Sequence, residues 1–209
     1  MENAFITGTD TGVGKTYVTA RLLRENRARG LDSVGFKPLC CGGREDAEIL
    51  RAAAGNALDL NEVNPVWLRT PAAPYVASLI ENRLVDLSLV RETFAALRAR
   101  FGSILVEGAG GWLVPIAADY TFADLAAEFA LPVVVVVRNR LGALNHTALT
   151  LASIRAYGLK CAGLILNHGP TASDEGSDPQ KIAQATNRAV LEELLRVPVL
   201  AEYPLEPLE

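Results

Sequence analysis

Cysteine is scarce in this chain: only Cys40, Cys41 and Cys161 occur among its 209 residues. Their spacing fits neither a disulfide framework nor a metal-binding set, and the adjacent pair is a poor candidate for a disulfide. Histidine is rarer still, and because His146 and His168 are isolated, the sequence supports no histidine-based metal site. A few unpaired thiols are typical of a reducing compartment, so we expect a cytoplasmic protein.

Long apolar runs are missing as well. The longest, residues 131–137, contains Pro132 and is far too short to cross a bilayer. The chain does not start with a basic region followed by an apolar one, so no secretory signal is expected. A formal net charge of −4 gives no general attraction to nucleic acid or to anionic membranes. We therefore expect neither nucleic acid nor a membrane among the partners.

The most informative stretch is glycine-rich residues 8–16, GTDTGVGKT. It lies between an apolar run that predicts a strand, residues 4–7, and a predicted helix over residues 17–23. Such a turn gathers backbone N–H groups in one concavity, and the helix N-terminus adds a positive partial charge. Lys15 can then meet the β- and γ-phosphates of a nucleotide, and the Thr16 hydroxyl can bind Mg²⁺.

The glycine-rich stretch departs from the usual phosphate-loop pattern at one position. Thr9 stands where the first glycine is expected, and Gly8 lies one residue earlier. The alternative is a glycine-rich turn that binds nothing. The position between a strand and a helix favours the phosphate loop.

Strands and helices alternate along the rest of the chain. We predict strands over residues 33–38, 104–107, 132–137, 161–166 and 197–200, and helices over 46–54, 87–101, 121–130 and 144–157, with a last helix opened by Asp178 and Pro179. Residues 64–74 contain three prolines and are predicted to be mostly loop. The alternation predicts an α/β fold, a mainly parallel sheet flanked by helices in a single domain over residues 1–209.

Several polar side chains follow predicted strands, at the sheet edge where ligands of α/β proteins bind. Lys37, Glu107 and Asn167 end three of these strands, and Asp46 joins them if its helix begins close by. Carboxylate and hydroxyl oxygens suit Mg²⁺, while lysines stabilise the charge of a transferred phosphoryl group. Together with the phosphate loop, these residues outline a phosphoryl-transfer site.

Each of these residues also has a purely structural alternative. Lys37 could be a solvated charge, and Asp46 could cap a helix. The glycines after Glu107 could serve only to relieve strain in a turn. Cys41 is either a small apolar filler or a group at the site beside Lys37. Glu107 is harder to explain structurally, because a buried carboxylate is costly without a partner.

Four segments of the chain resemble the dethiobiotin synthetase family: residues 8–16, 36–38 (FKP), 106–111 (VEGAGG) and 141–146 (LGALNH). Their order and spacing extend the resemblance from residue 4 to about residue 204. It implies a P-loop NTPase fold and an ATP- and Mg²⁺-dependent ligase of biotin biosynthesis. Such an enzyme joins CO₂ to 7,8-diaminopelargonic acid (7,8-diaminononanoate). It closes the ureido ring of dethiobiotin through a carbamate and a carbamic–phosphoric anhydride, releasing ADP and phosphate.

The resemblance also implies roles for individual residues. As catalytic groups, Lys15 and Lys37 would hold the γ-phosphate and carbamate charges, and Thr11 would lie beside the carbamate. The implied ATP-binding residues are Asp10, Thr11, Gly12, Val13, Gly14, Lys15, Thr16, Tyr17, Asn167 and Pro204. The implied metal ligands are Thr16, Asp46 and Glu107. The implied substrate-binding residues are Lys37, Cys41, Gly110, Gly111, Gly142, Ala143 and Asn145. Cys41 stands where family members often have a small hydroxyl residue.

The family resemblance further implies a homodimer with the diamine at the subunit interface. The turn at residues 142–145, which opens a helix, would hold the substrate carboxylate from the neighbouring subunit, a position that suits an anion.

Three different functions compete with this one. The first is an ATP-driven switch related to partitioning or division-site ATPases. Those proteins have an extra lysine near the start of the phosphate loop, where this chain has Thr9 and Asp10. The second is a related ATP-dependent ligase that acts on another amine. The third is an amidating ligase, which needs an additional glutaminase domain with a nucleophilic cysteine.

Overall fold

The computed structural model describes residues 3–168 and 178–204. In chain order the elements are β1 (Asn3–Gly8), α1 (Lys15–Ala28), β2 (Ser33–Phe36), β3 (Leu39–Cys41), α2 (Glu45–Ala53), α3 (Leu60–Val63), β4 (Val66–Leu68), α4 (Pro74–Ile80), α5 (Leu87–Arg100), β5 (Ser103–Glu107), β6 (Pro115–Ala117), β7 (Tyr120–Thr121), α6 (Phe122–Phe129), β8 (Val133–Arg138), α7 (Ala143–Ala156), β9 (Cys161–Asn167), α8 (Asp178–Leu195) and β10 (Val199–Tyr203).

Six strands form one parallel sheet in the order β10-β9-β8-β1-β5-β2. The connections between neighbouring parallel strands cross over through helices, as the alternation along the chain predicts. The α/β fold with a mainly parallel, helix-flanked sheet is thereby confirmed. Because β5 lies between β1 and β2, residues far apart in sequence end side by side.

The register of the sheet brings the polar strand ends to one edge. Glu107 of β5 is opposite Ile6 of β1, and Asn167 of β9 is opposite Arg138 of β8. Lys37 directly follows β2, whose last residue pairs with the strand that carries Glu107. The phosphate loop between β1 and α1 opens at the same edge, so all the predicted strand-end groups lie at the carboxyl-terminal edge of the sheet.

Apolar side chains cover both faces of this sheet. Every valine of the run at 133–137 is fully buried, which explains why β8 has no polar alternation. On one side an aromatic cluster joins the sheet to its helices: the Phe94 and Phe129 rings stack with centroids 3.8 Å apart, and Phe36 packs against both. This packing fixes β2, and therefore Lys37, relative to α5 and α6.

The prediction of a loop over residues 64–74 was wrong in part. Val66–Leu68 forms β4, which pairs in parallel with Leu39–Cys41, and α4 begins at Pro74. Three-residue strands show no readable period, and a proline at the first position of a helix gives the same signal as a loop. The final strand also lies later than predicted, at Val199–Tyr203, because its pairing with β9 runs from Val199 opposite Leu164 to Tyr203 opposite Asn167.

The last helix begins where predicted, at Asp178. The predicted capping role of the Asp178 side chain lies outside the described part of the structure. Within residues 3–168 and 178–204, no helix has both the length and the apolar character required to cross a bilayer.

Candidate active site

The phosphate loop is a preformed concavity at the N-terminus of α1. Gly12 and Gly14 have φ angles of 71° and 93°, a region that favours glycine. No side chain caps α1 at Gly14, which leaves this helix end to a ligand. The Asn167 amide donates to the Val13 carbonyl at 2.8 Å, and a Cβ at Gly14 would lie only 1.9 Å from the Asn167 Nδ2 atom. The loop is therefore packed against the end of β9.

Lys15 points into the loop. Its ammonium donates to the Asp10 carbonyl at 3.1 Å, and its side chain is buried. Burial lowers the pKa of Lys15 to about 8, a shift that the carboxylate of Glu107 partly opposes and the charge of Lys37 reinforces. An anion bound in the loop would favour the charged form of Lys15.

Lys37, Glu107, Asp46 and Thr16 form one hydrogen-bonded cluster. Lys37 Nζ lies 2.5 Å from Glu107 Oε1 and 2.8 Å from Asp46 Oδ2, and the Thr16 hydroxyl donates to Glu107 Oε1 at 2.8 Å. Lys37 is 2% exposed and Glu107 is fully buried. Burial acts to lower the pKa of Lys37, but the two carboxylates outweigh it and hold that pKa above its usual range. Burial alone would raise the pKa of Asp46, but the charge of Lys37 and its hydrogen bond outweigh burial and lower that pKa.

Two residues that the sequence did not single out hold this cluster in place. The Asn64 side-chain amide donates to the Lys37 carbonyl at 2.9 Å, and the Lys37 N–H donates to the Val63 carbonyl. Arg44, at the start of α2, donates to the Asn64 side chain and to the Asn64 carbonyl. The sequence offered one signal for Asn64, a polar residue before Pro65, but this signal also predicts an ordinary turn.

The oxygen atoms at this cluster fit a hard divalent cation. Glu107 Oε2 is buried and has no hydrogen-bond partner among the described residues. Asp46 and Thr16 contribute a carboxylate and a hydroxyl at the cavity wall. The described residues contain no group of three histidine, cysteine or acidic side chains suited to a metal. The oxygen atoms of Thr16, Asp46 and Glu107 therefore suit a cation that takes its other ligands from phosphate and water, as Mg²⁺ does.

A cavity of about 680 Å³ lies over the phosphate loop. The predicted residues that line it are Thr11, Gly12, Gly14, Lys15, Thr16, Tyr17, Lys37, Cys41, Asp46 and Gly110. Residues 71–74 (PAAP), which were predicted only as part of a loop, line it as well. Cys41 is thus a lining residue, and burial raises the pKa of its thiol to about 11 with help from Glu81. The thiol is therefore a weak nucleophile at neutral pH.

The remaining predicted residues divide into two groups. Gly111 lies against the phosphate loop, since a Cβ there would be 3.8 Å from Asp10 Cα. Pro204 lies beside α1, where its carbonyl accepts the Tyr17 hydroxyl at 2.9 Å. The turn at Gly142, Ala143 and Asn145 does not line the cavity. Gly142 has a φ of 90° at the N-terminus of α7, and it is exposed together with Asn145.

The amino-acid sequence is similar to known proteins over almost its whole length. Residues 2–208 match a family model described as an AAA domain. The chain is 44% identical over 202 residues to the ATP-dependent dethiobiotin synthetase BioD of Akkermansia muciniphila, covering 97% of this chain and 92% of that protein. It is 47% identical over 199 residues to the BioD protein of Anaeromyxobacter dehalogenans strain 2CP-C, covering 91% of this chain and 88% of the relative.

Solved structures resemble the chain in fold. The septum site-determining protein MinD of Pyrococcus horikoshii, complexed with Mg-ADP, has a TM-score of 0.55 at 17% identity, covering 98% of this chain and 82% of that one. Chloroplast FtsY of Physcomitrella patens has a TM-score of 0.57 at 13% identity, covering 99% of this chain and 59% of that one. At such identities the likeness shows the fold alone, and together with the family model it confirms the predicted P-loop NTPase-like fold.

Proposed function

The chain belongs to the ATP-dependent dethiobiotin synthetase family of ligases, and we propose that it closes the ureido ring of dethiobiotin. The proposed substrates are 7,8-diaminopelargonic acid (7,8-diaminononanoate), CO₂ and ATP, and the other products are ADP and phosphate. One observation carries the proposal: Lys15, Lys37 and the Asp46 carboxylate line one cavity beside the phosphate loop, and the fully buried Glu107 carboxylate lies behind them, bonded to Lys37 and Thr16.

The reaction begins with capture of CO₂. One amine of the diamine attacks the carbon of CO₂ and loses a proton, which gives a carbamate. A carbamate oxygen is a poor leaving group, so the second amine cannot displace it directly. Holding the carbamate and the triphosphate in one cavity supplies the proximity that the next step requires.

Phosphoryl transfer then activates the carbamate. Its oxygen attacks the γ-phosphorus, the bond to the β,γ-bridging oxygen breaks, and ADP leaves. The second amine attacks the carbonyl carbon of the mixed anhydride, loses a proton and expels phosphate as the ring closes. Lys15 and Lys37 would stabilise the negative charge on the transferring phosphoryl group and on the carbamate, and Thr11 would lie beside the carbamate.

We propose that Thr16, Asp46 and Glu107 hold Mg²⁺, on the strength of their oxygen donors and the unpartnered Glu107 Oε2. When bound, the cation would neutralise charge on the phosphate oxygens. Lys37 pairs with both carboxylates, so its ammonium compensates part of their negative charge.

The nucleotide and the diamine would occupy opposite sides of the cavity. We propose that the loop at residues 10–17 holds the triphosphate and that Asn167 and Pro204 frame the base. Apolar residues 71–74 suit the aliphatic chain of the diamine, with Cys41, Gly110 and Gly111 next to it.

A homodimer would complete the diamine site. The turn at Gly142, Ala143 and Asn145 lies outside the cavity of its own chain and offers the N-terminus of α7 to a carboxylate of the neighbouring site. Leu141 next to the turn and Leu149 on α7 are 65% and 63% exposed, and these exposed apolar side chains support a surface that the neighbouring subunit covers.

The three free cysteines support a cytoplasmic location.

The proposed function is tested by measuring phosphate release with ATP, Mg²⁺ and bicarbonate, with and without the diamine. We expect release to require both the diamine and CO₂, and we expect mass spectrometry to find dethiobiotin. Release that is independent of the diamine would contradict ring closure and favour an ATP-driven switch. Release with another amine alone would indicate a related ligase.

A further inference from the structure

Three side chains on one face of α1 hold the end of β10. Tyr17, Arg21 and Glu25 are spaced four residues apart, so they lie one above another along the helix. The Tyr17 hydroxyl donates to the Pro204 carbonyl at 2.9 Å, and the Arg21 guanidinium lies 4.5 Å from the centre of the Tyr203 ring. The Tyr203 hydroxyl donates to Glu25 Oε1 at 3.1 Å. We call Tyr17, Arg21 and Glu25 the α1 ladder.

The α1 ladder is also connected within itself. Arg21 Nη1 donates to the Tyr17 hydroxyl oxygen at 3.0 Å, and the Tyr17 and Tyr203 rings meet edge to face with centroids 6.4 Å apart. A guanidinium has donors only, so the Tyr17 oxygen must accept from Arg21, and its own hydrogen is left for Pro204. Arg21 therefore holds the Tyr17 oxygen in position, while the Pro204 carbonyl, which can only accept, takes the hydrogen of the Tyr17 hydroxyl.

The end of β10 is bound to the phosphate loop from two sides. On one side, Tyr17 directly follows Lys15 and Thr16 and lines the cavity. On the other, Tyr203 pairs with Asn167 in the sheet, and the Asn167 amide donates to the Val13 carbonyl of the loop. A displacement of residues 203–204 would thus change the surroundings of the loop without removing any of the loop's own groups.

We propose that Arg21 is a positioning residue for ATP: through the α1 ladder it holds residues 203–204 as the nucleoside-side wall of the ATP site. This inference rests on the proposed placement of the base near Asn167 and Pro204. The triphosphate is held by the loop's own groups and Lys15, so loss of Arg21 should weaken binding of the adenosine part more than binding of the phosphates. A general weakening of α1 would instead affect both parts equally.

The test compares Arg21→Ala with Arg24→Ala, an exposed arginine on the same helix and outside the ladder. Dissociation constants are measured by calorimetry for ADP and for inorganic pyrophosphate, both with Mg²⁺, which differ by the adenosine part. For Arg21→Ala we expect the ratio of the ADP constant to the pyrophosphate constant to rise about fivefold or more, the scale of a cation–aromatic contact. For Arg24→Ala we expect the ratio of the two dissociation constants to equal that of the unaltered protein. A smaller rise in Arg21→Ala, or an equal rise in Arg24→Ala, overturns the proposal.

The failure of this inference and the failure of the proposed function are distinguishable. Nucleotide binding is measured without the diamine, so the ratio remains readable even if no ring closure occurs. Conversely, normal diamine-dependent turnover with an unchanged ratio would reject the α1 ladder and leave the proposed reaction intact.

Discussion

The ammonium of Lys37 lies 2.5 Å from Oε1 of Glu107, and both side chains are almost completely buried. The two residues are 70 positions apart in the chain and meet because β2 and β5 are neighbours in the sheet. Removing one member of such a pair leaves an uncompensated charge inside the protein. A single substitution in this pair therefore changes both the free energy of unfolding and the turnover, and both can be measured on the same variant.

Lys37→Ala is expected to retain ADP binding and to lose nearly all turnover. The phosphate loop does not depend on Lys37, whereas the proposed charge on the transferring group does. The free energy of unfolding should fall by about 3–5 kcal/mol, since Glu107 stays buried without its cation. Calorimetry, phosphate release and chemical denaturation provide the three measurements. Lys160→Ala, an exposed lysine before β9, serves as the control, and normal turnover in Lys37→Ala would remove Lys37 from the mechanism.

Glu107→Gln tests the proposed metal ligand. The amide keeps the size of the side chain but loses the negative charge that a hard cation prefers. We expect the Mg²⁺ concentration for half-maximal turnover to rise about tenfold or more, a loss of about 1.4 kcal/mol in binding. Glu193→Gln, on the exposed face of α8, should leave the Mg²⁺ titration unaltered. An unaltered titration for Glu107→Gln would contradict its role as a ligand.

Gly14→Ala and Gly158→Ala form a matched pair, because both glycines have positive φ angles. A Cβ at Gly158 meets nothing within 4 Å, whereas one at Gly14 would lie 1.9 Å from Asn167 Nδ2. Gly158→Ala should therefore cost only the backbone strain, about 1 kcal/mol, and keep ADP affinity. Gly14→Ala must also displace Asn167 or the loop, so ADP affinity should fall about tenfold or more. Equal ADP affinities for the two variants would show that the packing against Asn167 is unimportant for binding.

Cys41 should react slowly with alkylating reagents. Burial, with the charge of Glu81, raises the pKa of its thiol to about 11 from 9.0, so at pH 8 the reactive thiolate is about 100-fold rarer than in an unfolded chain. The labelling rate should rise about tenfold per pH unit until the pH approaches the folded-state pKa. Labelling with iodoacetamide and peptide mass spectrometry gives the rate, and protein unfolded in urea gives the reference. Rapid labelling of the folded protein at pH 8 would contradict the buried thiol.

The main elements could be predicted because each has a strong local pattern. The helix from Leu87 shows apolar residues at steps of three and four, and Val90, Phe94 and Leu97 are indeed its buried residues. The phosphate loop is likewise local, since its groups are consecutive in sequence. The family, the fold and the enzyme class were predicted correctly, whereas the roles of individual site residues stay predictions.

The parts that sequence reasoning missed depend on contacts between distant segments. The strands β3 and β4 have three residues each and are stabilised by pairing with each other rather than by a pattern of their own. The support of Lys37 by Asn64 and the contact of Arg21 with Tyr203 join segments with no shared motif. The spacing of Tyr17, Arg21 and Glu25 was visible, but it is equally typical of an exposed helix face.

The place of β1 in the middle of the sheet has a consequence for biosynthesis. β1 is synthesised well before its two neighbours, Ser103–Glu107 and Val133–Arg138. One edge of this apolar strand thus waits unpaired until residue 107 has been translated, and the other until residue 138. Nascent chains that stall before that point expose a ready template for aggregation, and chaperones that bind extended apolar segments should find them on the ribosome.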